Sequence, residues 1–233
     1  MKMTLMQHFS ELRRRVLWVF LVFSIAFGIG WFITPDLQKF LVSPLLSVWH
    51  GGRVLYTGLS DGLMIQFNLS GLFAIFITVP FALWNIWAFI APGLKINEKK
   101  FIMPILVLSP VLFIIGIAFA FYVLFPFVFK FLIDVNEASP VPSVVLPAIK
   151  DYLSFTTGLL KVFGLSFQLP LVLVLLNKIG ILSRDMVIKF RRYAIVIIAL
   201  VAAILTPPDI ASQCLLAIPM WALFEISILF MKK

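Results

Sequence analysis

Two stretches of this chain carry no charged residue at all, residues 62–94 and residues 101–129. A helix needs about 20 apolar residues to cross a bilayer, and in hydrocarbon every backbone polar group must be paired within the segment. Runs of this length therefore commit the chain to membrane-spanning helices. Of the 233 residues, 62% are hydrophobic and 12% charged, with a mean hydropathy of +1.11; soluble domains carry about 25% charged residues. The reading is all-α: one integral membrane domain over residues 1–233, with too little polar sequence for a separate soluble domain.

Six spans are expected, over about 16–34, 67–90, 101–129, 152–177, 193–208 and 210–231. Before the first, Leu5, Phe9, Leu12 and Val16 recur at helical spacing, and Thr4 with Gln7 fits a capping box. The cationic start is like a signal peptide. Its apolar run is longer than an h-region, however, and no small-x-small site follows, so the segment is read as retained. Residues 35–61 are read as an outer loop lying on the membrane surface through Phe40, Leu41, Leu45, Leu46 and Trp49. Pro104, Pro110 and Pro126 should bend or fray the third span. The uncharged run 193–208 is only ~24 Å long as a helix, against a hydrocarbon core of ~30 Å. The last two spans are therefore short, and either recruit partners or thin the bilayer, or simply sit as a tilted pair with Thr206 and the prolines buried at the turn.

Six spans put both termini on one side. Lys2, Arg13, Arg14, Arg15, Lys95, Lys99, Lys100, Lys178, Arg184, Lys189, Arg191, Arg192, Lys232 and Lys233 fall on that side. Only Lys39, Arg53, Lys130 and Lys150 fall on the other, a ratio of 14 to 4. Cationic loops stay cytoplasmic, so both termini are expected there. The formal charge of +9 then reports orientation, and no nucleic-acid partner is expected.

Catalytic patterns are missing. His8 and His50 are predicted at opposite membrane faces, and no HExxH, phosphate-binding loop, GxSxG or pair of intramembrane aspartates occurs. No enzyme activity, cofactor or metal is expected. The lone Cys214 excludes an internal disulfide. Ionisable or strongly polar residues inside spans are costly and default to functional hypotheses; here they are Lys161, Gln168 and Glu225. They could form the midplane site of a secondary transporter, although the matching Gly/Pro interruptions of an inverted repeat are not seen. Gln168 and Glu225 lie at similar depth and would bond if their spans touched; alternatively Glu225 snorkels to the cytoplasmic interface.

The segment WAFIAPGLKINEKK (87–100) is a polar hinge between the two uncharged runs. Its one acid, Glu98, sits among Lys95, Lys99 and Lys100. It could act only as a first-turn acid of the third span, and Glu11 could only balance Arg14 or Arg15 at i+3 or i+4. Alternatively, two carboxylates on one cationic face would make a receptor for paired guanidinium groups, through directional, charge-assisted forks.

At these residues the sequence resembles the TatC family, the multispan core of the twin-arginine protein translocase. The likeness runs through HFSELRRR (8–15), SPL (43–45), WAFIAPGL…E (87–98), the stretch 116–126, YLSF (152–155), FGLSFQLP (163–170), LTPPD (205–209) and SQCLLAIPMWALFEI (212–226). It implies that Glu11 and Glu98 contact the twin-arginine motif of a signal peptide, with Phe89 and Arg13 in the same site. It also implies that Pro44, Gln168 and Asp209 act in partner docking or structure. Gln168 stands where the family often has Glu, and Phe121 where relatives often have Tyr. The implied function is a receptor and scaffold in a bacterial inner membrane, recruiting TatA- and TatB-like single-span partners within a homo-oligomeric complex that draws on the proton-motive force.

Overall fold

The computed structural model describes residues 5–49, 54–90, 96–138, 146–206 and 210–232, with side chains at all of these except 5–8, 90 and 96–103. The described residues form eight α-helices: α1 (Leu5–Val48), α2 (Asp61–Ile90), α3 (Ile96–Phe119), α4 (Phe125–Glu137), α5 (Ile149–Ser166), α6 (Leu169–Lys178), α7 (Arg184–Leu205) and α8 (Ile210–Phe230). Their one extended contact is a parallel bridge between Leu55 and Ala148. Five stretches are long and apolar enough to cross a membrane: α1, α2, α3 through α4, α5 through α6, and α8. Many large apolar side chains point outward, Phe32 at 84% and Ile204 at 83% exposure among them. In water such a surface would drive aggregation; in lipid it is the solvated face. The remaining helix, α7, opens on Arg184, Asp185, Lys189, Arg191 and Arg192, which leaves an uncharged part, residues 193–205, of about 20 Å.

Prolines explain the breaks in the long helices. Between α3 and α4 lies one π-helical turn, Ala120–Leu124, where the Phe125 N–H donates to the Ala120 carbonyl. Pro126 follows in the first turn of α4, where its missing N–H costs nothing. Pro170 likewise opens α6 after the turn at Phe167 and Gln168. Pro104 and Pro110, expected to bend the third span, sit inside α3.

Helix α1 continues through Pro35 and Pro44, so residues 35–48, read from sequence as loop, are helix. A proline inside a helix strips the donor from the carbonyl four residues earlier. For Pro35 that carbonyl is Trp31, and the Gln66 side chain donates to it at 3.2 Å. For Pro44 it is Phe40, and the Ser43 hydroxyl donates to it at 2.7 Å. Side-chain donors thus replace the lost backbone bonds, the condition for keeping proline within a membrane helix.

Contacts divide the chain into two compact units. In the first, residues 1–37 and 66–111, α1 and α2 lie antiparallel. Gly30 lets them approach, since a Cβ there would meet the Ser70 carbonyl at 3.1 Å and Phe73 at 3.2 Å. The Thr34 hydroxyl donates to the Gly30 carbonyl and lies 3.2 Å from the Ser70 hydroxyl. Trp31 meets Phe67 edge-on at 5.0 Å.

The second unit, residues 38–65 and 112–233, is built on an aromatic core. Phe125, Phe129 and Tyr152 follow one another at ring separations near 5 Å, and Phe121 stacks on Phe40 at 4.3 Å. A Cβ on Gly116 would lie 2.6 Å from the Phe163 carbonyl, and one on Gly164 would lie 2.7 Å from the Phe113 ring. These two glycines set how closely α3 and α5 cross. The Tyr152 hydroxyl donates to the Leu41 carbonyl at 2.7 Å. The strand-like residues before α2 are held to the start of α5 by Leu55 N–H to Pro147 O and Ile149 N–H to Leu55 O. Beside them the buried Asp61 carboxylate accepts from the Thr57 N–H, the Thr57 hydroxyl and the Gly58 N–H, and pairs with Lys150 at 3.5 Å.

Candidate functional site: a carboxylate held by a guanidinium

Glu11 and Arg15 are one helical turn apart on α1, so their side chains share a face. Arg15 donates to one oxygen of Glu11 twice, Nε to Oε1 at 3.0 Å and Nη2 to Oε1 at 2.6 Å. Its remaining nitrogen, Nη1, reaches α2, donating at 3.3 Å to both the backbone carbonyl and the side-chain Oδ1 of Asn85. Glu11 and Arg15 are 24% and 26% exposed, so water still screens the pair, and its bond energy is that of a partly solvated contact. Asn85 in turn donates to the Phe81 carbonyl, which fixes its amide orientation.

Of the site residues expected from sequence, this network contains Glu11 alone. Phe89 stands one turn beyond Asn85 on α2, on the same face, and is half-buried. Arg13 is exposed on α1. The Glu98 backbone lies in the first turn of α3; its side chain is outside the described residues, as are Thr4 of the capping box and Asp209. Of the two partners weighed for Glu11 from sequence, the structure selects Arg15. Asn85 was missed. A polar residue interrupting an uncharged run, one turn from Phe89, was the available signal.

Pro44 and Gln168 belong to the second unit. Pro44 is buried in α1, and the hydroxyls beside it serve its turn: Ser43 bonds the Phe40 carbonyl and Ser47 the Pro44 carbonyl. Gln168 is 7% exposed at the joint between α5 and α6, where its backbone carbonyl accepts from Val172.

Glu225 has a partner not weighed for it from sequence. Its Oε2 accepts from Arg191 Nη2 at 2.6 Å, across α7 and α8. Arg191 came into the sequence reading only as an orienting charge. A second tie, Gln213 Nε2 to the Ala199 carbonyl at 2.9 Å, joins the same two helices nearer their turn. Asn177 closes the end of the hairpin, its side chain accepting from Lys232 N–H and donating to the Leu182 carbonyl. Glu225 and Gln213 thus tie α7 to α8. Among the described residues, no three His, Cys, Asp or Glu side chains converge as a metal site would require.

A chain of apolar helices this long, with its few polar groups paired between helices, is a multi-pass membrane protein. The profile of the family described as Sec-independent protein translocase protein (TatC) matches residues 7–219, and the chain belongs to that family. It is 40% identical over 222 residues to the Sec-independent protein translocase protein TatC of Halothiobacillus neapolitanus, covering 95% of this chain and 60% of that relative's length. The TatC protein of Escherichia coli is 37% identical over 227 residues, which cover 97% of this chain and 87% of that one. Two crystal structures of a twin arginine translocase receptor, TatC, superpose with TM-scores of 0.87 and 0.88 at 32% identity. They cover 96% and 97% of this chain, and 97% and 100% of theirs.

Proposed function

We propose that this chain is the receptor and assembly core of a twin-arginine protein translocase, and that Glu11 and Glu98, with Phe89 and Arg13, read the paired arginines of a signal peptide. The observation that carries this reading is the state of Glu11. Its carboxylate, at the cationic end of α1, already holds a guanidinium by two N–H···O bonds. That contact supports the reading, since a carboxylate that accepts an internal guanidinium is chemically suited to a ligand's. Glu98, one of the few other acids on the expected cytoplasmic face, would take the second arginine.

The protein would work as a binding scaffold and not as an enzyme. It would sit in a bacterial inner membrane with both termini cytoplasmic. There it captures signal peptides of folded cargo, assembles with further copies of itself and with TatA- and TatB-like single-span proteins, and draws on the proton-motive force. Pro44, Gln168 and Asp209 would serve the docking of those partners or the structure that supports it.

The test is a binding cycle. Glu98→Gln keeps size and removes charge. If Glu98 holds an arginine, affinity for an Arg-Arg signal peptide should fall roughly ten- to a hundredfold, or ~1.5–3 kcal/mol. With a Lys-Lys peptide, which cannot make the fork, the loss should be much smaller. Coupling near zero between each acid and the peptide arginines, in folded protein, would remove both acids from the site.

A further inference from the structure

We propose that Arg15 is a positioning residue of the arginine site: it engages one oxygen of Glu11 and thereby presents the other, Oε2, in a fixed plane to the incoming guanidinium. This rests on the receptor reading above and adds a residue and a geometry to it.

Two bonds share one acceptor. A carboxylate has about four lone-pair sites, two on each oxygen. Arg15 Nε and Nη2 both land on Oε1, so Arg15 engages that oxygen and leaves the other to a second donor. Among the described residues Oε2 takes no bond. One carboxylate can therefore serve two guanidinium groups, an internal one on Oε1 and a ligand on Oε2.

Arg15 is itself anchored. Nη1 is held by two acceptors of Asn85, one on the backbone and one on the side chain. The bonds run from α2 through Asn85 and Arg15 to Glu11, so the carboxylate plane is fixed from a neighbouring helix and not by its own rotamer alone. A donor bound at several points is poorly suited to leave when a ligand arrives. It is well suited to hold its acceptor still, as a second layer of ligands does around a binding group.

Orientation matters more to one cation than to another. A guanidinium is planar, and its bonds demand a matching carboxylate plane; an ammonium is a point charge that accepts any approach. Fixing the plane in advance lowers the ordering cost only for the planar ligand. Arg15 therefore contributes discrimination between arginine and lysine rather than bulk affinity. Its own positive charge opposes every cationic peptide equally, and that contribution cancels in the ratio of two affinities.

The measurement is the ratio of Kd for Lys-Lys and Arg-Arg signal peptides, on protein in lipid nanodiscs, for the wild type, Arg15→Gln and Arg15→Lys. Both substitutions should narrow the ratio by roughly three- to tenfold, the worth of one directional hydrogen bond. Arg15→Lys keeps the charge and the aliphatic stem, so it decides the matter if Arg15→Gln does not fold. In a Glu11→Gln background the effect of changing Arg15 should disappear. A ratio unchanged by Arg15→Lys overturns the proposal. So does a ratio unchanged in Arg15→Gln while both affinities rise together, because Arg15 would then be a competitor or a bystander. A wild type without preference for arginine is a different failure: it sinks the receptor reading, and this inference with it.

Discussion

Pro35 offers a direct test of how α1 remains a helix. Its ring removes the N–H that would bond the Trp31 carbonyl, and Gln66 Nε2 supplies the replacement from α2 at 3.2 Å. Gln66→Leu keeps approximate size and apolar packing but leaves that carbonyl without its donor. An unmade bond to a buried acceptor costs about 1–3 kcal/mol, and in a lipid-facing segment no water stands by to take its place. Gln66→Leu should therefore destabilise the protein by ~1–2 kcal/mol. Pro35→Ala should remove the need for Gln66, because alanine restores the backbone donor. The decisive quantity is the cycle: the cost of Gln66→Leu should drop close to zero in the Pro35→Ala background, a coupling of ~1–2 kcal/mol. Reversible unfolding in mixed micelles, followed by tryptophan fluorescence, reads all four proteins. An equal cost of Gln66→Leu on both backgrounds would refute the replacement argument, and the bond would then be incidental to the proline.

Gly116→Ala would place a methyl 2.6 Å from the Phe163 carbonyl, an overpacking worth ~1–3 kcal/mol; Gly28→Ala, with nothing within 4 Å, should be neutral or stabilise α1 by up to ~1 kcal/mol. Equal loss of unfolding midpoint in the two variants would show that glycine at 116 does not serve close approach. In the α7–α8 hairpin, where the uncharged part of α7 is short, three or four leucines inserted into both helices should block export in cells while leaving signal-peptide binding and stability of the purified protein intact. Normal export by the lengthened form would reject any role for shortness.

The number of apolar segments was legible because hydrocarbon imposes one rule on all of them: long, uncharged and internally bonded. The ends of those segments were less so. Proline at 35 reads from sequence as the end of a span, because the penalty for proline in a helix is computed with water or nothing as the alternative partner. The donor that lifts the penalty sits 31 positions later, at Gln66, and no local pattern announces it. The same holds for Glu225. Its ion pair with Arg191 depends on how α7 and α8 fold back on each other. Helix periodicity places a residue on a face; it does not say which residue of another helix meets that face.

Glu11 shows where the two readings of an acid converge. From sequence its pairing with Arg15 was the bland alternative, a surface ion pair at i+4 worth ~0.3–0.5 kcal/mol, set against a role in binding. The structure contains that pair, and yet among the described residues the pair does not exhaust the carboxylate. Both donors fall on Oε1, and the guanidinium that supplies them is tied to Asn85 on the neighbouring helix. That third tie joins α1 to α2, and under the proposed receptor reading it would also hold the carboxylate steady for a ligand guanidinium. Under the proposed reading, the i+4 spacing that makes the ion pair is also the spacing that would orient the carboxylate before a ligand arrives.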